Sequence, residues 1–296
     1  MKTLLNITTV SSHLLRAIIP MIVFTLAAAS VLAQDEEKKD DSDKKPARPA
    51  FESAQLLELQ SVVVPSVKTL EMNMQHRFGL VENGISDVYG IYGAANIRIG
   101  FSYTIINNLA IGFGYTKFKK YLDLNLKYAI LKQRKDWSIP VSVTYYGNTA
   151  IDTRPAENFE KEVHRNSYYH ELNIASRITP KLSLQITPSF SHFNAVDSLY
   201  KNDIIGIAIS GRFKVMDQSS ILFNFIQQVN NHSDPNFDLK PGIVLGYEIS
   251  TSAHAFQIIF SSFQGIVPQE NLAYNGYGFK GGEFLIGFNI TRLWSF

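Results

Sequence analysis

From residue 69 onward, apolar and polar side chains alternate along most of the chain. Such alternation places successive side chains on opposite faces of a β-strand. The segments 96–105, 121–130 and 182–193 show it most clearly. Each has roughly ten residues, against the ~5–6 residues of ordinary strands. A tilted strand of about this length crosses the ~25 Å apolar band of an outer-membrane barrel. The first of these segments has an apolar face made of Ile97, Ile99, Phe101, Tyr103 and Ile105.

The alternation predicts about twelve strands, separated by connectors of two kinds. Connectors after strands one, five, seven, nine and eleven are long, whereas those after strands two, four, six, eight and ten are short. The short connector after strand three, at Lys119 and Lys120, is the exception. This asymmetry is typical of an outer-membrane barrel with both termini in the periplasm. The predicted strands are 69–79, 95–105, 109–118, 121–131, 138–147, 168–178, 182–193, 203–214, 220–230, 242–250, 254–263 and 282–296.

We therefore predict an all-β fold, a transmembrane antiparallel up-and-down β-barrel over residues 69–296. Closure follows from the bilayer, because an open sheet edge would leave backbone groups without hydrogen bonds in lipid. Pro188 falls in mid-strand and cannot donate a ladder hydrogen bond, so we expect a β-bulge there.

Three segments precede the barrel. Residues 1–33 carry Lys2 and Arg16 before an apolar run too short to span a bilayer, which predicts a secretory signal peptide. Residues 34–50 read QDEEKKDDSDKKPARPA and lack the apolar content to fold, so we predict a disordered charged linker. Residues 51–68 alternate poorly, and the sequence leaves open whether they form a plug, a helix or an extra strand.

Composition excludes several kinds of function. The chain has 296 residues and no cysteine, so disulfides and thiolate metal sites are excluded. Loss of the two cations with the signal peptide leaves no formal net charge, which gives no basis for nucleic-acid binding. The histidines show no ligand spacing, and phosphate-binding glycine motifs are missing. We expect no metal and no cofactor.

The last predicted strand carries aromatic and aliphatic residues at alternate positions. This pattern resembles the C-terminal signature that the barrel-assembly machinery of Gram-negative bacteria recognises, although Arg292 departs from it. It implies an outer-membrane location, with membrane lipids and that machinery as partners. We expect Trp137 and Trp294 at the periplasmic interface, and a monomer. The signature residues are Phe288, Ile290, Trp294 and Phe296.

Several stretches between residues 51 and 154 carry a more specific resemblance. They are QHRFG at 75–79, NIRIGFSYTI at 96–105, DLNLKYAIL at 123–131 and VTYYGNTAIDTR at 143–154. The chain resembles an uncharacterised family of bacteroidete-type outer-membrane β-barrels, a domain of unknown function. The resemblance implies a barrel in the cell envelope, and it implies no catalytic residues.

If apolar side chains face lipid, the opposite face of each strand forms the wall of the lumen. Five acidic and five basic residues fall on this predicted wall, so we expect them to form ion pairs. Such pairs could shape the barrel, or form a selectivity ladder for a small polar solute or ion. The predicted wall residues are Glu71, Arg77, Arg98, Asp123, Lys127, Glu171, Arg177, Arg212, Glu248 and Glu283.

Three functions remain open. The first is restricted passage of a small polar solute or ion. The second is a non-conducting structural or partner-binding envelope barrel. The third is a lipid-modifying enzyme that uses His192, but Ser189 and Ser191 lie near it in sequence without a recognisable catalytic motif, and Ser191 should point to the opposite face. We therefore predict no catalytic site. The outer loops 148–167 and 264–281 are the other candidate sites, because loops often carry function and the second combines glycines with aromatic residues.

Overall fold

The computed structural model describes residues 44–296. Twelve long antiparallel strands close into a barrel in which each strand pairs with its neighbours in sequence, and the first of them pairs with the last. The predicted fold class is therefore confirmed. The barrel strands are β3 (Thr69–Leu80), β4 (Asn96–Ile106), β5 (Leu109–Thr116), β6 (Tyr121–Leu131), β7 (Ser142–Asp152), β8 (Asn166–Arg177), β9 (Leu182–Phe193), β10 (Asp203–Lys214), β11 (Ser219–Gln228), β12 (Gly242–Ser250), β13 (His254–Ser261) and β14 (Leu285–Ser295).

The two faces of the strands have opposite chemistry. In β3, the buried residues are Thr69, Glu71, Asn73, Gln75 and Arg77, all polar and all directed into the barrel. In β6, the apolar residues of the opposite face are exposed. An exposed apolar band around a closed barrel is the surface that faces hydrocarbon in the outer membrane. Among residues 44–296, no helix is both long and apolar enough to cross a membrane.

Most strands lie within a few residues of their predicted positions, but two need correction. The fifth barrel strand is β7 (Ser142–Asp152), not 138–147. Its end carries Asn148 and Asp152, which resemble loop residues in sequence but are buried inside the barrel. The last strand begins at Leu285, not at residue 282, because the preceding glycines form a 3-10 turn in which Gly281 has φ 73°.

The predicted β-bulge at Pro188 is wrong. Pro188 pairs with Ile207 in an unbroken β9–β10 register. The ladder between β8 and β9 lacks pairs next to Pro188, but its register is the same before and after this gap. Local pairing is therefore lost where proline has no N–H group, and no extra residue is inserted as in a β-bulge.

Residues 48–64 lie inside the barrel, and we call them the lumen hairpin. Their short strands β1 (Gln55–Leu56) and β2 (Leu59–Gln60) pair antiparallel across a tight turn at Leu57, where φ is 57°. The long connector 262–284 contributes a second inserted element, the helix α1 (Pro268–Tyr274), of which most residues are buried. The predictions for residues 1–33 and for the linker up to residue 43 lie outside the described residues.

Residues 44–47 and 133–140 belong to a separate compact unit. In it, Pro46 forms an isolated antiparallel bridge with Arg134, and the backbone N–H of Ala47 donates to the carbonyl of Gln133 at 2.7 Å. Trp137 lies in this unit and also has a positive φ, of 60°.

Candidate functional site

The lumen hairpin has an apolar side that packs against one sector of the barrel wall. Its buried residues Phe51, Leu56 and Leu57 share a hydrophobic cluster with inward-facing residues of β10, β11, β12 and β13. These wall residues include Ile204, Leu222, Val244 and Ile259, each almost fully buried. At ~25 cal/mol per Å² of buried apolar surface, this contact anchors the hairpin to that sector.

The tip of the hairpin carries a buried ion pair. The Nε and Nη2 atoms of Arg77 each donate to a carboxylate oxygen of Glu58 at 2.9 Å. Ser261 Oγ donates to the same carboxylate at 2.9 Å, and Asn289 accepts from Arg77 at 3.0 Å. The exposed fractions of the Arg77 and Glu58 side chains are 0% and 1%. Paired and bidentate hydrogen bonds of this kind compensate the cost of burying both charges.

The opposite side of the hairpin meets a polar sector of the wall. Lys127 Nζ donates to the carbonyl of Ala54 at 2.8 Å and to the side chain of Gln60 at 3.2 Å. The carboxylate of Glu171 accepts the backbone N–H of Gln60 at 3.1 Å. On the apolar side, near the periplasmic end of β10, Arg212 donates to Glu52 at 3.0 Å. Wall residues of both charges thus bind the hairpin backbone or its polar side chains.

A second ion pair spans the wall beside the hairpin. Arg98 donates to both carboxylate oxygens of Asp123 at 2.8 Å. Its guanidinium covers two glycines, since a Cβ added at Gly114 would lie 2.3 Å from Nη2 and one at Gly100 would lie 2.7 Å from Nη1. Glycine on these two strands therefore makes room for the arginine to lie flat on the wall.

The polar sector keeps small voids between wall and hairpin. One, of about 40 Å³, is lined by Glu71, Arg98, Ala110 and Lys127 among others, and another, of about 20 Å³, adjoins it at Arg98 and Tyr146. Volumes of this size hold about one or a few water molecules. With the hairpin in place, most inward-facing side chains of the described wall are buried.

The helix α1 closes the lumen from the outer side. Glu270 accepts hydrogen bonds from Lys119 Nζ at 2.7 Å and from the hydroxyl of Tyr121 at 2.9 Å. Gln269 donates to Asn148 at 3.1 Å across the lumen. A cavity of about 710 Å³ lies beside α1, lined in part by Asn96, Lys119 and Asn271.

Polar groups of the outer connectors have shifted pKa values. Burial lowers the pKa of His232, whose Nε2 lies 2.6 Å from the carbonyl of Ala273. Burial raises the pKa of Tyr274, so this phenol stays protonated. A hydrogen bond from Lys240 at 2.8 Å, more than any other contact, lowers the pKa of Glu283.

The structure places nine of the ten predicted wall residues on the inner face of the barrel. They are Glu71, Arg77, Arg98, Asp123, Lys127, Glu171, Arg177, Arg212 and Glu248. Arg98 pairs with Asp123, whereas the partners of Arg77 and Arg212 lie on the hairpin. Arg177 lies at the periplasmic end of β8, where it donates to the carbonyl of Pro180. Glu283 is not on the wall, because it precedes β14 and pairs with Lys240 of another connector.

The C-terminal signature residues lie on the outward side of β14 or just beyond it. Phe288, Ile290 and Trp294 are half-buried between outward-facing neighbours, and Phe296 is exposed after the strand. The guanidinium of Arg292, the residue that departs from the apolar pattern, lies 4.9 Å from the ring centre of Trp294.

His192 lies at the outer end of β9 on the lipid-facing side. Its Nδ1 atom is 2.7 Å from a carboxylate oxygen of Asp203, and its ring stacks on Tyr168. Ser189 and Ser191 point into the barrel and are buried, so neither hydroxyl is on the face of His192. Within residues 44–296, no cluster of three or more His, Cys, Asp or Glu side chains could hold a metal ion.

The described chain has the features of a membrane barrel, namely a closed ring of twelve strands with apolar side chains outside and a polar wall inside. A family model that matches residues 51–294 identifies the family of this barrel. The chain belongs to the family DUF5777, the membrane bound beta barrel domain. The predicted resemblance to a barrel family of unknown function is confirmed, and this DUF5777 barrel is a protein of the Gram-negative outer membrane. A bacteroidete source, a monomeric state and use of the barrel-assembly machinery stay predictions.

Solved outer-membrane barrels are similar to this DUF5777 protein at low sequence identity. The NanC porin is 10% identical, with a TM-score of 0.48, and the match covers 76% of this chain and 98% of the porin. An outer membrane channel from Pseudomonas putida F1 is 10% identical, with a TM-score of 0.48 and coverage of 78% and 97%.

An enzyme is also among the similar structures. The outer membrane phospholipase A from Escherichia coli is 10% identical, with a TM-score of 0.40 and coverage of 76% and 90%. At these identities and TM-scores the likeness carries no conclusion about activity, so the absence of catalysis stays a prediction. No curated protein matches the chain.

Sequence reasoning missed the residues that fill the lumen. Glu58, Gln60 and Gln269 face wall residues far away in the chain, and no local pattern marks them. The one available signal was Pro268, since proline is favoured at the first position of a helix.

Proposed function

We propose that this barrel gives restricted passage across the outer membrane to a small polar solute or ion, with the lumen hairpin as its gate. The observation that carries the proposal is the asymmetry of the lumen. The hairpin packs apolar side chains on β10–β13, where Arg212 also binds Glu52, whereas on the side of β3–β7 it accepts hydrogen bonds from Lys127 and leaves the two small voids. A barrel closed only for stability would be as well served by an apolar filling.

The wall residues then fall into two roles. Glu71, Arg98 and Asp123 line the side along which a solute passes when the hairpin loosens or shifts. Lys127 lines the same side and also holds the hairpin at Ala54 and Gln60. Fixed charges of both signs suit a polar solute, and rings of charge set selectivity in other pores. Arg77, Glu171 and Arg212 hold the hairpin through Glu58, Gln60 and Glu52, and Glu248 fixes Gln257, which donates to the hairpin backbone.

Conductance across planar bilayers tests the proposal. Ala110 lines the larger void from β5, whereas its neighbour Ile111 faces lipid. We expect small single-channel currents from the unaltered protein, their loss in Ala110→Phe, and no change in the matched control Ile111→Phe. Removing a cation from the path in Lys127→Gln should shift the reversal potential under a salt gradient toward cation selectivity.

The passage hypothesis fails if no current is measured. This requires that neither the unaltered barrel nor Glu58→Gln, a variant with a loosened hairpin, conducts. Currents that are equal in both position-110 and position-111 variants would place the path elsewhere.

The second candidate is a non-conducting structural or partner-binding barrel, and the filled lumen favours it. In that function the buried Glu58–Arg77 pair and α1 would serve only to close the barrel. Absence of current, together with co-purification of an envelope protein in mild detergent, would support this function over passage.

A further inference from the structure

The cavity beside α1 is separate from the proposed path and has the volume of a ligand site. It measures about 710 Å³ and lies at the outer side, between the outer ends of β3 and β4, the turn 117–120 and the connector 262–284. Small-molecule sites in proteins span ~300–1,000 Å³. A cavity of this size accommodates a ligand much larger than the water molecules that fit the inner voids.

One wall of the cavity carries an amide side chain without a hydrogen-bond partner. Asn271 is only 7% exposed, and neither its Nδ2 nor its Oδ1 atom has a partner. Its position is restricted, because the Oδ1 atom would lie 2.4 Å from a Cβ added at Gly265. A second buried amide oxygen, Oδ1 of Asn275, is also unpartnered and belongs to the same lining.

The unpartnered amide atoms of Asn271 and Asn275 would be satisfied by a ligand that both donates and accepts hydrogen bonds. A buried polar group left unpaired costs about 1–3 kcal/mol. Hydroxyl groups of a ligand can accept from the Nδ2 atom of Asn271 while donating to its Oδ1 atom.

Aromatic rings flank the same amides. Lys119 Nζ lies 5.3 Å from the ring centres of both Phe118 and Tyr274, and it also binds Glu270 at 2.7 Å. The lysine therefore holds the two rings and the carboxylate in a fixed arrangement. Glu270 balances the charge of Lys119 beside the rings, and the other lysine of the lining, Lys117, donates to the carbonyl of Ala95 at 3.0 Å. The charge next to the rings and amides is therefore balanced, which suits an uncharged ligand.

We propose that the outer cavity binds a pyranose ring of a glycan. The C–H face of a pyranose packs on the negative face of an aromatic ring such as Phe118, which lines the cavity and is 47% exposed. Its hydroxyl groups would meet the amides of Asn271 and Asn275. The proposal does not depend on solute passage, because the cavity is lined by outer connectors and its occupancy is measured without a current.

A glycan array tests the proposal with the intact protein. The fluorescently labelled barrel, in detergent, is applied to mono- to tetrasaccharides and to core oligosaccharides of lipopolysaccharide. We expect retention on a restricted set of glycans, and at least a tenfold loss of apparent affinity in Phe118→Ala and in Asn271→Ala. Whether core or free saccharides are retained distinguishes a lipid-borne source from a soluble one.

The matched control is Tyr92→Ala, since Tyr92 is an exposed aromatic residue on an outer connector outside the cavity lining. Its binding should equal that of the unaltered protein. Each variant is first checked for barrel folding by its shifted gel mobility without heating. Retention on no glycan, or retention that persists in both cavity variants, would overturn the proposal.

Discussion

Removing the charge of Glu58 should release the lumen hairpin while leaving the barrel closed. In Glu58→Gln, Arg77 keeps a buried positive charge but loses both bonds to a carboxylate, each 2.9 Å long. Breaking a buried pair by removing one partner costs about 3–5 kcal/mol. Because the pair joins the hairpin to β3, this cost falls on hairpin docking, and β-strand pairing is unaffected.

Hydrogen exchange measures this cost at the hairpin itself. The backbone N–H groups of Glu58 and Gln60 donate to side chains of the wall, at 3.2 Å to Asn224 and 3.1 Å to Glu171. At about 1.4 kcal/mol for each factor of ten, we expect these two amides to exchange ~100- to ~4,000-fold faster in Glu58→Gln. Amides in the barrel strands should keep their protection.

Two further variants control the experiment. Glu52 also pairs with an arginine of the wall, but its side chain is 23% exposed, so Glu52→Gln should change exchange by less than about tenfold. Replacing both partners, as in Glu58→Met with Arg77→Met, removes the unpaired charge and should restore much of the protection. Unchanged exchange in Glu58→Gln, or an equal rise in hairpin and strand amides, would refute the reasoning.

Two other predictions concern the outer connectors and the lipid face. Burial lowers the pKa of His232, whose Nδ1 atom accepts the backbone N–H of Lys201 at 3.0 Å, so this contact is fully stable above the ordinary histidine pKa near 6.5 and is lost as pH falls below that value through the lowered pKa. Protection of the Lys201 amide should therefore be constant above about pH 6.5 and fall below it; constant protection under acid conditions would contradict this. Leu126→Arg, in the middle of β6, should destabilise the barrel by about 2–4 kcal/mol in equilibrium unfolding with urea and vesicles, whereas Ile130→Arg near the strand end should cost ~0–1 kcal/mol. Equal losses of unfolding free energy in the two variants would argue against placing Leu126 in the middle of the membrane.

The barrel could be predicted from the sequence because its wall obeys a local rule. Because lipid lies outside and a polar lumen inside, apolar and polar residues alternate along each strand. Each strand can therefore be located from its own sequence. The same rule placed Arg98, Asp123 and Lys127 on the inner face. It misplaced the fifth strand because inward polar residues such as Asn148 are indistinguishable in sequence from loop residues.

The contents of the lumen could not be predicted in this way. Residues 48–64 are stabilised by partners on most of the strands, from Arg77 on β3 to Asn289 on β14. Such contacts join residues up to more than two hundred positions apart, and a single sequence shows no sign of them. The orientation of Asn271 also depends on its packing against Gly265, which only the folded connector creates.

Only residues 65–68 connect the lumen hairpin to the first strand of the barrel wall. Four residues reach at most ~14 Å when fully extended. A hairpin that leaves its place therefore stays at the periplasmic mouth, where a short tether maintains a local concentration in the millimolar range. Rebinding is then an intramolecular step whose rate is independent of the amount of protein in the membrane, so each barrel would open and reseal as a self-contained unit.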